Sequence, residues 1–324
     1  MSRRTVSVVD YHTGGEPFRI VTGGAPPLEG ATILERRRFA REHVDNVRRL
    51  LVFEPRGHAD MYGCHVVPPN DDGADLGVVF FHNEGYSTAC GHGTIALVTW
   101  ALDAGVVGRR EGQNRVVVDV PSGRLETWAH VEDDRVRSVR FRNVPAFVWA
   151  KGVEAAGRVV DVAFGGAFYA SLRERVEPVE LPRLIALGRE LKGALEAEHE
   201  IVHPLEPELR GVYGVIFWQD EGEEPLTQRN VTVFADGEVD RSPCGSGTSA
   251  RLALLADEGR LPRGSELRHR SIVDSEFTGY VVGDAELGGR PAVVTEVEGS
   301  AYRTGRAAFT LDPDDPLGEG FLLR

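Results

Sequence analysis

What this sequence lacks narrows it first. Three cysteines in 324 residues cannot build the bridge-dense framework of a small secreted domain, so reduced thiols are expected. No apolar run approaches the roughly 20 residues that span a bilayer. No secretory apolar segment follows the opening Met1-Ser2-Arg3-Arg4, and a cytoplasmic location is the expectation. Positive charge is outweighed, with 37 Lys and Arg against 50 Asp and Glu. The resulting field repels nucleic acid and anionic membrane as main partners. No Gly-Lys-Ser/Thr follows any glycine-rich turn, and no Gly-x-Gly-x-x-Gly closes a strand-helix-strand unit, which argues against nucleotide loops. His12, His58, His65, His82 and His92 lack the close spacing of a zinc site. No metal and no cofactor are expected. What remains is a chain with 41% hydrophobic and 27% charged residues, a globular composition long enough for two domains with their own cores.

The chain repeats itself. Cys90-Gly91-His92-Gly93-Thr94-Ile95-Ala96 returns 154 residues later as Cys244-Gly245-Ser246-Gly247-Thr248-Ser249-Ala250. Each copy follows a β-prone run, Val78-Val79-Phe80-Phe81 and Val231-Thr232-Val233-Phe234. Each precedes a helical pattern that stops at a glycine, Gly105 or Gly259, fifteen residues after its cysteine. A second match joins Val8-Val9-Asp10 and Gly14-Gly15-Glu16-Pro17-Phe18 to Val159-Val160-Asp161 and Gly165-Gly166-Ala167-Phe168, at an offset of 151. Two matches at nearly one offset predict duplicated halves, each a strand-rich unit around a helix. A boundary near Pro121-Ser122-Gly123 would give domains 1–122 and 123–299, with 300–324 completing the first. Asn70–Asp75 and Asp220–Glu224 read as acidic surface excursions. Residues 181–200 read as a structural amphipathic helix, and the tail Asp312–Arg324 offers Phe321, Leu322 and Leu323 for docking.

Each repeated turn supplies a thiol and outward-pointing amides at the start of a helix. Glycines let the backbone approach a ligand closely, and the helix end favours an anion such as a carboxylate. The same field is expected to lower the thiol pKa. Two opposed groups, one thiolate and one thiol, can take a Cα proton from one face and return one to the other. That is how a stereocentre is inverted without a cofactor. Cys64 fits a small buried hydrophobe and is assigned no role. Cys244 and Arg251 are spaced one residue longer than a phosphatase loop. A cysteine hydrolase and a non-catalytic small-molecule binder are the readings from other classes.

These residues resemble the proline racemase family, which includes hydroxyproline 2-epimerases and trans-3-hydroxy-L-proline dehydratases. The likeness runs through Asp10-Tyr11-His12-Thr13-Gly14-Gly15-Glu16-Pro17, Arg56-Gly57-His58, Asn83-Glu84-Gly85-Tyr86-Ser87, Cys90-Gly91-His92-Gly93 and Asp240-Arg241-Ser242-Pro243-Cys244-Gly245. It implies an α+β fold of two pseudo-symmetric diaminopimelate-epimerase-like domains, each barrel-like around a central helix. It also implies a site in the cleft between them, and a homodimer. Cys90 and Cys244 match the family's acid–base cysteines. Gly91, His92, Gly245 and Ser246 match its carboxylate-binding turns, and Asp240 its amine-binding acid. Tyr11, His12 and Arg56 are read as scaffold. The implied function is inversion of Cα of proline or a hydroxyproline, with trans-3-hydroxy-L-proline dehydration as the alternative. The dehydratase branch typically carries threonine where Cys244 stands. Yet Phe234–Val239, Gly165-Gly166-Ala167-Phe168-Tyr169 and the ending resemble that branch, and the histidine that 4-hydroxyproline epimerases carry near Tyr213 is missing.

Overall fold

The computed structural model describes residues 4–323; residues 1–3 and Arg324 of the tail lie outside the described residues. The chain forms two compact units, Met1–Val139 with Ser300–Arg324, and Arg140–Gly299.

In the first unit β1 (Arg4–Thr13) and β2 (Glu16–Gly23) form a hairpin. Gly14 and Gly15 turn it with φ of 59° and 90°, which only glycine holds without strain. Helices α1 (Ile33–His43) and α2 (Asp45–Val52) cross to β3 (Tyr62–Val67), parallel to β2. β4 (Leu76–His82) returns antiparallel. Helix α3 (Gly91–Asp103) then crosses to β5 (Gly112–Val120), parallel to β4, and β6 (Gly123–Glu132) hairpins back. β7 (Arg135–Arg142) carries the chain over the unit boundary.

The second unit repeats this order. β8 (Phe147–Ala155) leads into the hairpins of β9 (Arg158–Phe164) and β10 (Phe168–Arg173). Helix α4 (Leu181–Glu198) crosses to β11 (Val212–Glu223), parallel to β10. β12 (Leu226–Phe234) returns, with the short β13 (Glu238–Asp240) folded on it. Helix α5 (Gly245–Asp257) crosses to β14 (Glu266–Arg270), parallel to β12. β15 (Glu276–Leu287) and β16 (Arg290–Gly299) complete the unit. β17 (Ala301–Leu311) then pairs with β1 in the first unit, from Thr13↔Ala301 to Arg4↔Leu311. Hairpin, parallel crossover, hairpin, helical crossover, hairpin is the order in both halves, so the repeat in sequence is a repeat of topology.

Each half centres on a helix with almost no exposed face. Every residue of α3 from Gly91 to Leu102 is buried, as is every residue of α5 from Gly245 to Leu255. Such all-round burial marks a core element. α3 packs on β1, β2, β3, β6 and β17, and α5 on β8, β9, β10, β15 and β16. Both end as expected: Gly105 and Gly259 take φ of 70° and 68°, and the next residues' amides reach back to Ala101 and Leu255 at 2.9 Å. α4 differs, burying only the stripe Leu184, Gly188, Leu191 and Leu195. No helix among the described residues is long and apolar enough to cross a membrane.

Two expectations need correction. Pro121-Ser122-Gly123 is the tip of the β5–β6 hairpin, where Val120 pairs with Gly123; the boundary falls after Val139. Strand pairing across the turn makes it a tight connection inside the first unit, where a boundary between units was expected. Asp220–Glu223 is no loose excursion but the end of β11, paired with β12. Asp220 accepts from Gln228 Nε2 at 2.7 Å and pairs with Arg260 at 3.0 Å. Asn70–Asp75 does form a mostly exposed connection between β3 and β4. In the tail, Phe321 exchanges backbone bonds with Glu54, while Leu323 stays exposed.

Three buried histidines set a pH dependence. Burial pushes His65 down to about 4 and His92 down to about 3; burial and then Arg251 push His269 down to about 3. The unfolded chain takes up these protons near pH 6.5 while the native chain refuses them, so stability falls as pH drops below that value. Asp240, whose buried carboxyl is pushed up to about 6, opposes this with a single proton. Between pH 7 and 5 the expected loss is on the order of 2 kcal/mol per histidine, read from urea unfolding midpoints. A midpoint independent of pH over this range would show that the imidazoles are hydrated in the native protein.

Candidate active site

In the first unit Cys90 caps α3 in extended conformation, φ −154° and ψ 97°. Its Sγ accepts the Gly93 amide at 3.3 Å, and its carbonyl accepts the Thr94 amide at 2.9 Å and hydroxyl at 2.8 Å. Both ring nitrogens of His92 lie 3.6 Å from the sulfur. The imidazole stands edge-on to Tyr62 at 5.0 Å and Phe18 at 5.7 Å, and Thr13 donates its hydroxyl to the His92 carbonyl at 2.9 Å. Pushed down to about 3 by burial, His92 is a neutral imidazole at physiological pH, with one ring N–H to donate.

In the second unit β13 delivers Asp240. Its Oδ1 accepts the Ser242 amide at 2.8 Å and hydroxyl at 2.7 Å, and Ser242 Oγ in turn accepts the Cys244 amide at 3.1 Å. Cys244 begins α5 with φ 63° and ψ 100°, a conformation non-glycine residues hold only where their surroundings impose it. Its thiol donates to the Tyr169 phenol oxygen at 3.7 Å, and that oxygen lies 2.6 Å from Ser246 Oγ. Burial, then the nearby Asp240 charge, pushes the Cys244 thiol up to about 12. Here the expected lowering by the helix end is reversed, because desolvation and a carboxylate outweigh the dipole. Burial also dominates at Asp240, against the pull of Ser242 and Cys244 hydrogen bonds.

The glycine two residues beyond the first helical position is a steric requirement in each half. A Cβ on Gly93 would lie 2.6 Å from Cys90 Sγ and 2.4 Å from the Phe18 ring; on Gly247 it would lie 2.9 Å from Cys244 Sγ. Each half therefore sets a sulfur directly over the amide-rich first turn of a buried helix.

The proline racemase family profile matches residues 8–322. The chain belongs to that family. It is 46% identical to a 3-hydroxyproline 2-epimerase of Burkholderia multivorans, over 99% of both chains. It is 44% identical to a trans-3-hydroxy-L-proline dehydratase of Bacillus cereus, over 98% of both. Among solved structures, a hydroxyproline epimerase from Agrobacterium vitis with bound trans-4-hydroxy-L-proline superposes with a TM-score of 0.94 at 31% identity, covering 99% of this chain and 95% of the other. The α+β fold is that of the proline racemase family.

Within the first unit the structure groups Cys90, Gly91 and His92; within the second it groups Asp240, Cys244, Gly245 and Ser246. Tyr11 donates to Asp103 at 3.1 Å, and Arg56 binds the carbonyls of Leu50 and Gly318. His12 accepts the Gly15 amide at 3.2 Å. Cys64 is wholly buried in β3, its thiol pushed up by burial. Arg251 lies 3.9 Å over the Trp218 ring and donates to Gln228 at 3.0 Å, far from the pose of a phosphate-loop arginine. Reading the sequence missed Ser242, which links Asp240 to Cys244, and Tyr169. A signal for Tyr169 existed: the 151-residue offset sets it opposite Phe18.

If Asp240 raises the Cys244 thiol, Asp240→Asn brings it back toward its ordinary value. Alkylation of Cys244 by iodoacetamide at pH 8, followed by peptide mass spectrometry, should then accelerate by about tenfold for each unit of pKa recovered. An unchanged rate would show that the carboxylate does not act on this sulfur.

Proposed function

We propose that the chain is a cofactor-independent 2-epimerase that inverts Cα of a hydroxyproline, with 3-hydroxyproline as the first candidate and Cys90 and Cys244 as the proton-transferring pair. The observation that carries this reading is the doubled arrangement of a sulfur over the first turn of a buried helix. One thiolate takes the Cα proton and the other thiol delivers a proton to the opposite face, leaving the two sulfurs with exchanged protonation. Amides at Gly91, His92, Gly245 and Ser246 suit the substrate carboxylate, whose charge grows as the carbanion forms. Asp240, buried and readily ionised beside a cation, suits the ring ammonium. The neutral His92 adds a donor without adding charge.

Identity to a 3-hydroxyproline 2-epimerase supports the substrate class. The dehydratase relative keeps a second reading open: loss of the Cα proton and the 3-hydroxyl as water leaves an enamine that tautomerises to a cyclic imine. That elimination returns no proton to Cα, so a thiol at position 244 would be surplus, which favours inversion.

In D2O, NMR and polarimetry over L-proline, D-proline and the 3- and 4-hydroxyprolines should show deuterium entering Cα with inversion for at least one substrate. Cys244→Ser should lower inversion by on the order of 10²–10⁴-fold. Full inversion by that variant, or imine formation caught by NADPH-coupled reduction in its place, would overturn the two-thiol epimerase. Gly93→Ala, with the tighter clash, should lose on the order of 100-fold in turnover, and Gly247→Ala less. Equal activity in both variants would show that the clearance beneath the sulfurs is not needed.

A further inference from the structure

The two halves match at their aromatic rings as well as at their cysteines. The offset that aligns Gly14-Gly15 with Gly165-Gly166 places Phe18 opposite Tyr169. Both rings stand beside the residue two places after the cysteine. Phe18 meets the edge of His92, at 5.7 Å between ring centres and 89°, and Tyr169 meets the hydroxyl of Ser246 at 2.6 Å. The exchange is reciprocal. Where the turn carries histidine, whose ring nitrogens reach Cys90 Sγ at 3.6 Å, the neighbouring ring is bare. Where the turn carries serine, the neighbouring ring brings a hydroxyl that reaches Cys244 Sγ at 3.7 Å. Each sulfur thus has a side-chain partner beside its turn, His92 from the turn itself in one half and Tyr169 from the strand in the other.

Tyr169 is almost wholly buried and packs among Ala163, Ala167, Ile216, Ala250 and Leu254, with Tyr213 of β11 edge-on at 5.8 Å. A phenylalanine would fill that apolar setting equally well. The hydroxyl is what the packing leaves unexplained.

We infer that Tyr169 is a positioning residue for the second thiol, its hydroxyl forming a reversible link between Ser246 and Cys244. When Cys244 is a thiol, its S–H points to the phenol oxygen and the phenol O–H points to Ser246. When Cys244 is a thiolate, the phenol turns its hydrogen to the sulfur and the Ser246 hydroxyl donates to the phenol. No bond to carbon is made or broken, and one proton leaves or joins the sulfur. The charged groups beside this sulfur are Asp240 of β13 and, through Asp240, Arg241. The thiolate is favoured by the Gly247 amide and by the Tyr169 and Thr232 hydroxyls, and Tyr169 joins the sulfur to Ser246. As a device for proton transfer at Cα, the link rests on the two-thiol reading of function.

The test is Tyr169→Phe in the full chain, with alkylation of Cys244 by iodoacetamide followed from pH 6 to 10 and Cys90 read in the same digests. A charge-assisted hydrogen bond removed from the thiolate should slow Cys244 about tenfold at each pH, leaving the Cys90 profile in place. An unchanged Cys244 profile, or equal slowing of both cysteines, overturns the inference. The functional reading is judged separately, by Cα deuterium in the unaltered protein. Absence of exchange there with a selective Cys244 shift would sink the epimerase and leave the Tyr169 link standing.

Discussion

A sulfur held against bare backbone is the constraint on which both halves depend. Cys90 and Cys244 lie so close over the first turns of α3 and α5 that no Cβ fits at Gly93 or Gly247. Glycine in a helix costs about 1 kcal/mol relative to alanine, and each first turn carries two. Such a turn does not hold itself together; it holds because the rest of the helix is enclosed. α3 and α5 bury every residue over nearly their whole length, and packing on five strands each offsets the weak start. Burial of the helix, bareness of its first turn and placement of the sulfur are therefore a single requirement met twice.

That double occurrence is why so much was legible beforehand. Short motifs governed by local rules survive in both copies: glycine at the helix end, a β-prone run before the turn, a cysteine at the start. The features that stayed hidden are set by partners distant in the chain. Pro121-Ser122-Gly123 looks like a boundary between domains until Val120 is seen paired with Gly123 and β5 with β6. Asp220 looks like a solvated acid until Arg260, forty residues on, is seen beside it. Positive φ at Cys244 is invisible in a Ser-Pro-Cys-Gly string that resembles any turn. Ser242 and Tyr169 lie within the family-like motifs, yet their roles come from bonds to Asp240, Cys244 and Ser246 that only the fold creates.

The copies are alike in backbone plan and unlike in charge. Cys90 accepts an amide hydrogen in relaxed extended geometry and lies beside a neutral imidazole. Cys244 sits on strained backbone beside a carboxylate, its thiol held up by burial and by Asp240. Duplication supplied two equivalent positions, and the residues around them then made the positions inequivalent.

Inequivalence is what the proposed reaction requires. Inversion starts from one thiol and one thiolate; two identical, independent thiols would occupy that mixed state no more than about half the time, at any pH. Separate environments widen the pH range over which the mixed state prevails. The reaction must also pass to the opposite mixed state, with Cys244 deprotonated, and Asp240 opposes that in the empty protein. A substrate ammonium seated on Asp240 would cancel the opposing charge, leaving burial as the main remaining cause of the shift. On the proposed reading, that ion pair would lower the proton affinity of Cys244, so that its deprotonation becomes more accessible once an amino acid is bound.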